Sequence, residues 1–377
     1  MKRVYLDNAA TTPVAPEIID MISKMMKSNF ANPSSVHSFG RESKIIVEEA
    51  IKKIASVLNT SPGSIFFTSG GTEADNMAIK CGIHDHNIQH AITSKLSHHA
   101  VLFPLEDLAA EGKIKLSYID FDRDGVICTK HLDKLLQKNP RTFVSIMHAN
   151  NEIGTLQDIE LIGNICRNYN AIFHSDTVQT IAHFPFDMQK IHVDFMAASA
   201  HKFHGPKGIG FVYISDKIHI KPLLRGGAQE RNMRAGTENI YGIAALSMAM
   251  EMAYENLEEE IKYIKGLKKY MIDKFKNEMP EVNFYAKCTD MDNSLYTVLS
   301  VNFPESDISE MLLFNLDILG VACSGGSACA SGGSKSSHVL TAIDPNSKRP
   351  GLRFSFSKYN TKEDIDFTID KLQELFN

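Results

Sequence analysis

The sequence lacks any apolar run long enough to cross a membrane. Its most apolar uncharged stretch, residues 239–250, is well short of the roughly 18 to 20 residues that a bilayer core demands, and it reads as part of a buried helix. The N-terminal MKRVYLDNAATTPV has two cations but no apolar segment of a secretory signal, and the C-terminal QELFN matches no lipidation or retention signal. We therefore expect a cytoplasmic protein without a membrane partner.

A disulfide framework is also missing. The chain has 6 cysteines but no CxxC pair, and only Cys323 and Cys329 lie close together in the sequence. A chain of 377 residues can bury a core without disulfides or structural metal, so we expect free thiols in a reducing compartment and no metal site.

No basic stripe stands out. The chain has 40 Lys and Arg against 45 Asp and Glu, a net charge of -5, and the cations are spread over its whole length. Because binding to a phosphate backbone usually needs cations clustered on one face, we do not expect nucleic acid as a main partner. With 43% hydrophobic and 23% charged residues, the composition is that of a soluble globular protein. A neutral or small anionic ligand stays open.

The length predicts about two domains. Short apolar runs alternate with amphipathic helical stretches over about 200 residues, which predicts an α/β domain with a mostly parallel sheet. The predicted strands are residues 64–69, 90–94, 143–149, 171–176, 194–200 and 210–215. Residues 239–279 then form one helical run, which would reach roughly 60 Å if unbroken. A smaller α+β unit is predicted after this helical run. It has the strands YTVLSVNF and GLRFSFS and a final helix that follows the second strand.

Three clusters of residues carry possible chemistry. Residues 68–80 predict a strand that passes through Gly70 and Gly71 into a helix, and a helix N-terminus beside glycines suits an anion. No lysine follows these glycines, which disfavours a nucleotide P-loop, and an ordinary helix cap is the alternative. The other two clusters follow neighbouring predicted strands, at the edge where open α/β sheets bind ligands. Their polar residues are Asp176, Gln179, Ser199, His201 and Lys202.

Each of these residues also has a plain structural interpretation. Asp176 could be a turn or capping residue, and Lys202 could be a solvated loop cation. Lys207, five positions further on, competes with Lys202 for any lysine role.

Taken together, the motifs carry a resemblance that covers nearly the whole chain. In order, they are YLDNAATTP, SGGTEADN, SHHAV, MHANNEIG, HSDTVQ, SAHKFHGPKGIG, QERNMRAGTENI, SGGSACASG and RFSFSKYNT. The chain resembles the pyridoxal-phosphate enzymes of the aminotransferase class V group, and within it the cysteine desulfurases of the NifS/IscS kind. The resemblance implies fold type I of the pyridoxal-phosphate enzymes. We expect a large cofactor-binding domain over residues 13–258, and a small domain from residues 1–12 and 259–377.

The resemblance also implies a role for each polar residue of the three clusters. Lys202 would carry pyridoxal 5'-phosphate covalently, because an amine forms Schiff bases with carbonyl groups. Asp176 would face the pyridine nitrogen and keep it protonated, and Gln179 would bond the phenolic oxygen of the ring. The implied phosphate ligands are Gly71, Thr72, Ser199 and His201, together with Thr237 from a partner subunit, which requires a homodimer.

Two further roles are implied outside the clusters. His98 in SHHAV would stack on the cofactor ring and transfer protons, while His99 faces elsewhere; without the motif, a structural histidine would be the better interpretation. Arg353 would hold the substrate carboxylate, with help from Asn151, because a guanidinium donates two parallel hydrogen bonds to a carboxylate. The resemblance also implies that Asn151 is one of the residues that bind the cofactor. An arginine on a surface strand is the alternative for Arg353.

Cys329 distinguishes among members of this group. It lies in a loop, about residues 323–337, that is too rich in Gly and Ser for a packed element, so we expect a mobile lid that brings a thiolate to the substrate. The resemblance makes Cys329 the acceptor of sulfur from L-cysteine, leaving L-alanine and a protein persulfide. The alternatives are a structural thiol or a disulfide between Cys323 and Cys329.

The persulfide would supply iron-sulfur cluster assembly or the thiolation of cofactors and tRNA, through an acceptor such as an iron-sulfur scaffold protein. The competing functions are a selenocysteine lyase, another class V aminotransferase and a catalytically silent scaffold. The chain departs from the family pattern at Lys335 and Ser336 and at Ser357 and Lys358, and it ends soon after the last predicted helix. That short end bears on how sulfur is handed to a scaffold protein.

Overall fold

A computed structural model describes residues 2–139, 141–325 and 337–376. The strands of these residues are β1 (Val4–Tyr5), β2 (Ile65–Thr68), β3 (His90–Thr93), β4 (Lys115–Tyr118), β5 (Thr142–Ser145), β6 (Ile172–Asp176), β7 (Phe195–Ser199), β8 (Gly210–Ile214), β9 (Asn283–Phe284), β10 (Val298–Asn302), β11 (Val321–Ala322), β12 (Ser324–Gly325) and β13 (Gly351–Ser355).

The helices are α1 (Pro16–Ser28), α2 (Ser38–Val57), α3 (Gly71–Asp85), α4 (His99–Ala110), α5 (Thr129–Lys138), α6 (Ile159–Asn168), α7 (Gln229–Asn232), α8 (Ile240–Glu255), α9 (Leu257–Glu278), α10 (Leu312–Ile318), α11 (His338–Ile343) and α12 (Lys362–Phe376). Short 3-10 turns occur at Pro62–Ser64, Ala200–Lys202 and Ser309–Met311.

The larger sheet has seven strands in the order β2-β8-β7-β6-β5-β3-β4. Strands β4, β3, β5, β6 and β7 run parallel, and β8 is antiparallel to both β7 and β2. The predicted α/β class with a mostly parallel sheet is therefore confirmed. The sequence pattern missed β4, because this strand at the sheet edge is only partly buried and lacks a continuous apolar run.

Both faces of this sheet are buried. Successive side chains of a strand point to opposite faces, and in β6 Ile172 and Phe173 pack into two different hydrophobic clusters. One cluster includes Ile54 of α2 and Leu246 of α8, and the other includes Met77 of α3. Helices on both faces leave the carboxyl ends of the parallel strands as the accessible edge.

The smaller unit is built on a four-stranded antiparallel sheet in the order β12-β13-β10-β9. Its cluster joins Phe354 of β13 to Phe275 of α9 and Ile369 of α12, which gives the predicted α+β unit. Strand β1 pairs in parallel with β11, far along the chain. That pairing supports grouping residues 1–12 with 259–377; the boundaries at residues 12 and 258 stay a proposal.

The expectation of a single helix over residues 239–279 is wrong. The run divides into α8 and α9 at Asn256, whose side-chain Nδ2 donates to the carbonyl oxygen of Met252 at 3.2 Å. An asparagine side chain that bonds to nearby backbone competes with helical hydrogen bonds. The break also lets α8 pack on the large sheet while α9 packs on the small one.

Among the residues that the structure describes, none of the helices combines the length and the apolar character needed to cross a membrane.

Candidate active site

A cavity of about 240 Å³ lies where β6 and β7 end. Nine of the ten residues predicted to hold the cofactor line it. These nine are Gly71, Thr72, His98, Asn151, Asp176, Gln179, Ser199, His201 and Lys202. Met147, Val178 and Asp75 complete the lining. The cavity is thus polar on several sides, with one lysine amine and two carboxyl groups.

A larger cavity of about 690 Å³ lies elsewhere, between the C-terminal part of α3, the middle of α4 and residues 221–225. Its lining includes Lys80, Cys81 and Glu111 but none of the predicted site residues. Size alone therefore does not locate the site, and the converging polar groups at the strand ends do.

Asp176 is the last residue of β6 and is buried. Its carboxylate accepts a hydrogen bond from the backbone N–H of Val178 at 3.0 Å. Burial raises the pKa of Asp176, while electrostatic interactions with His98 and Lys202 and the bond from Val178 oppose that rise. A buried carboxyl with few partners of its own can stabilise a cationic ring nitrogen placed beside it.

Lys202 follows β7 in a short 3-10 turn. Its Nζ donates to the carbonyl oxygens of Ala9 and Ala10 at 2.7 and 2.9 Å. Burial, reinforced by the charge of Arg353, lowers the pKa of Lys202 to about 8. An amine with this pKa is partly neutral near neutral pH, and the neutral amine is the nucleophile and the proton acceptor.

The start of α3 forms one side of the cavity. Gly70 has φ of 152°, a conformation that glycine alone adopts readily, and a Cβ on Gly71 would lie 2.5 Å from Cγ2 of Val178. These glycines let the first backbone amides of α3 approach the loop that follows Asp176. A fifteen-residue helix presents unpaired N–H groups and the positive end of its dipole here, which suits a phosphate.

Ser199, the last residue of β7, and His201, in the 3-10 turn that follows, also line the cavity. Ser199 lies close to the start of α3, because a Cβ on Gly70 would be 3.5 Å from its Oγ. His201 shares a hydrogen bond between Nδ1 and Oγ1 of Thr11 at 3.1 Å. Burial, followed by the charge of Lys202, lowers the pKa of His201 to about 4. The ring is therefore neutral at physiological pH, and it can act there as a hydrogen-bonding group without charge.

His98 forms the N-cap of α4, where its Nδ1 accepts the backbone N–H of Ala100 at 3.1 Å. This bond fixes the ring at the cavity, with Nε2 free of that contact. His99, next in sequence, packs instead against Phe103 and His338, with ring centroids 4.5 and 4.4 Å away. Of the two adjacent histidines, His98 alone lines the cavity.

Arg353 does not line this cavity. Its Nη2 donates to Oδ1 of Asp7 at 2.8 Å and to Oγ of Ser324 at 3.0 Å, and its Nη1 donates to the carbonyl oxygen of Asn151 at 2.9 Å. Its Nε is buried, with no hydrogen-bond partner among the residues that the structure describes. Arg353 thus reaches the cavity through Asn151 and keeps one donor unused.

Two predicted residues lie apart from the others. Thr237 lines a separate cavity of about 70 Å³ with Glu230 and Arg234, so in a single chain it is not part of the Lys202 cavity. Its predicted role belongs to a second copy of the chain and stays a prediction. Cys329 lies outside the described residues, as does most of the predicted loop.

Sequence reasoning missed two acidic residues. Asp75 lines the cavity, and Asp7 pairs with Arg353. Both lie inside quoted motifs, SGGTEADN and YLDNAATTP. The spacing held a signal for Asp75, because it lies four positions after Gly71 and positions i and i+4 share one helix face. No spacing pointed to the contact between Asp7 and Arg353, which are 346 residues apart.

Comparison with known proteins gives consistent matches. The aminotransferase class-V family matches residues 4–367. A cysteine desulfurase IscS of Dictyoglomus turgidum is 42% identical, over 100% of this chain and 95% of the relative.

Solved structures are similar over the same extent. A NifS-like protein superposes with a TM-score of 0.90 at 36% identity, covering 100% of this chain and 99% of the other. A structure described as SspA in complex with cysteine has a TM-score of 0.81 at 30% identity, over 95% and 100% of the two chains.

Proposed function

The chain belongs to the aminotransferase class-V family, and from this membership we propose that it is a cysteine desulfurase dependent on pyridoxal 5'-phosphate. It would convert L-cysteine to L-alanine and place the sulfur on Cys329 as a persulfide. The observation that carries the proposal is a lysine amine and a buried carboxyl, Lys202 and Asp176, facing one cavity at the strand ends. Similarity to enzymes named cysteine desulfurase over the full chain supports the choice of reaction.

The residues of the cavity fit this cofactor. Lys202 would attach it, Asp176 and Gln179 would face its ring, and the start of α3 with Ser199 and His201 would hold its phosphate. The closely packed glycine at position 71 and the neutral His201 suit an anion bound mainly by backbone N–H groups. When bound, pyridoxal phosphate supplies an aldehyde carbon and an electron-withdrawing ring.

Side chains of the protein would carry out the proton transfers and stabilise the charge on the ring. Lys202, with its pKa near 8, is the group suited to remove the α-proton of cysteine and return a proton. His98, fixed by its N-cap bond, is placed to exchange a proton with the substrate through Nε2. Asp176, as a carboxylate, would hold positive charge at the ring.

Sulfur transfer needs no outside oxidant. The Cys329 thiolate attacks Sγ of the substrate, an S–S bond forms as the C–S bond breaks, and the electron pair of that C–S bond passes to the substrate carbon. That carbon then takes up a proton and becomes the methyl group of alanine. Cysteine plus a protein thiol thus gives alanine plus a protein persulfide, and the atoms balance.

Arg353 would bind the substrate carboxylate. Within the described ranges its Nε has no hydrogen-bond partner, and its Nη2 is shared between Asp7 and Ser324. A carboxylate entering beside Asn151 could take the free donor and compete with Asp7 for another, so the two-bond geometry of a guanidinium is available. Loss of Arg353 should therefore weaken cysteine binding before it slows chemistry.

The test compares two pairs of variants in the protein loaded with pyridoxal phosphate. Lys202→Ala should abolish alanine formation from cysteine, whereas Lys207→Ala should leave it near the parent rate. Cys329→Ala should abolish the protein persulfide, whereas Cys323→Ala should retain it. Sulfide release by Cys329→Ala at the parent rate would point instead to a selenocysteine lyase or another class V activity.

We also propose a homodimer, in which Thr237 of one copy reaches the phosphate site of the other. A protein acceptor, such as an iron-sulfur scaffold, would take the persulfide sulfur in the cytoplasm. Light scattering on the purified chain tests the dimer, and a Thr237→Ala variant with weaker cofactor binding but unchanged mass would support the shared site.

A further inference from the structure

The cavity contains a second carboxyl group, that of Asp75. It lies one turn into α3 on the same face as Gly71, and its side chain is 2% exposed as part of the cavity lining. Its Oδ1 atom is buried and accepts no hydrogen bond from the part of the chain that the structure describes. None of the roles proposed above uses Asp75.

His174 lies beside it. His174 precedes Asp176 by two residues on β6, so both side chains point to the same face of the sheet. Its Nδ1 shares a hydrogen bond with Oγ of Ser145 at 2.9 Å, and its Nε2 lies 3.3 Å from Oδ1 of Asp75 without hydrogen-bond alignment. Two buried atoms without partners therefore face each other, and one proton between them would satisfy both.

The surrounding charges decide which group carries that proton. Burial raises the pKa of Asp75 well above its usual range, and the charge of Asp176 raises it further. For Asp176, interactions with His98, Lys202 and the N–H of Val178 oppose the rise in pKa that burial causes. Two neighbouring buried carboxyls do not both ionise readily, so the one without compensation keeps the proton.

The imidazole of His174 competes less well than Asp75 for the shared proton. Burial lowers the pKa of His174 to about 3, so the ring is neutral. With its own proton on Nδ1, toward Ser145, the ring offers the Nε2 lone pair as an acceptor.

We propose that Asp75 is a positioning residue that holds a proton on Oδ1 and donates it to Nε2 of His174. The bond anchors α3 to β6 directly behind the cofactor site. Because the carboxyl of Asp75 is protonated, it places no negative charge beside Asp176. Asp176 can then remain ionised toward the cofactor. This role rests on the proposed function for the identity of the cofactor, but the protonated carboxyl itself does not.

The test uses infrared difference spectroscopy on the whole protein, with and without pyridoxal phosphate. The parent protein should show the carbonyl band of a protonated carboxyl at neutral pH, and Asp75→Asn should lack it. Asp176→Asn removes the repelling charge, so the band should disappear at a lower pH than in the parent. A parent spectrum identical to that of Asp75→Asn, or a band whose pH range ignores Asp176→Asn, overturns the proposal.

A second measurement tests the positioning. Asn at position 75 can donate to His174 as a protonated Asp does, whereas Val cannot. Asp75→Asn should bind pyridoxal phosphate within about threefold of the parent, and Asp75→Val about tenfold or more weakly, as expected for one lost buried bond. Equal affinity in the two variants contradicts the role. If the parent binds no pyridoxal phosphate, the proposed function fails while the infrared result on Asp75 still stands.

Discussion

Replacing Gly71 by alanine should lower both the free energy of unfolding and the affinity for pyridoxal phosphate, because Gly71 packs closely against Val178. The added Cβ would lie 2.5 Å from Cγ2 of Val178, and two other carbons of that side chain would lie at 3.7 Å. Because χ1 of a valine is restricted, Cγ2 of Val178 cannot move away on its own, and the backbone must shift as well. Overpacking of this kind costs about 1–3 kcal/mol of the free energy of unfolding. The N–H of Val178 also fixes Asp176, so the affinity for pyridoxal phosphate should fall too.

Gly266 provides the matched control. It lies in α9, and nothing would come within 4 Å of a Cβ placed there. Gly266→Ala should therefore raise the free energy of unfolding by about 0.5–1 kcal/mol, the usual gain in a helix interior. The assay is urea unfolding of the cofactor-free protein, with cofactor titration alongside. If Gly71→Ala matches the parent in both while Gly266→Ala behaves as expected, the packing argument for the site is wrong.

Two further predictions concern charge. In the cofactor-free protein, the rate of pyridoxal phosphate attachment should rise with pH through about 8, because the neutral amine of Lys202 reacts and its pKa is lowered to that value; stopped-flow absorption measures it, and a midpoint near 10 would contradict the burial argument. Arg353→Gln should raise the KM for cysteine about tenfold to a hundredfold with a smaller change in kcat, as expected for lost charged hydrogen bonds. Arg349→Gln, which removes bonds to Asn302 and Glu281 instead, is its control and should leave KM unchanged.

The parts of the fold that follow from local patterns could be predicted from the sequence. The six predicted strands of the large sheet were found because each is a buried, apolar run bounded by turn residues. Strand β4 was missed because an edge strand need not be apolar. The break at Asn256 was missed because the helical periodicity continues on both sides of it.

Much of the site could be predicted for a similar reason. Asp176 ends one strand and Lys202 follows the neighbouring strand, and parallel strands bring their carboxyl ends to one edge. Contacts between distant segments carried no such rule. The pairing of Asp7 with Arg353 and the approach of Asp75 to His174 depend on how the helices and the two sheets pack, which residue spacing does not encode.

The most direct test of the account is mass spectrometry of the protein loaded with pyridoxal phosphate. One part of the sample is reduced with borohydride, and the other part is exposed to L-cysteine. The account predicts a pyridoxyl group on the peptide containing Lys202 and one additional sulfur atom on the peptide containing Cys329. A pyridoxyl group on Lys207, or the additional sulfur on Cys323 or on no cysteine, would contradict it.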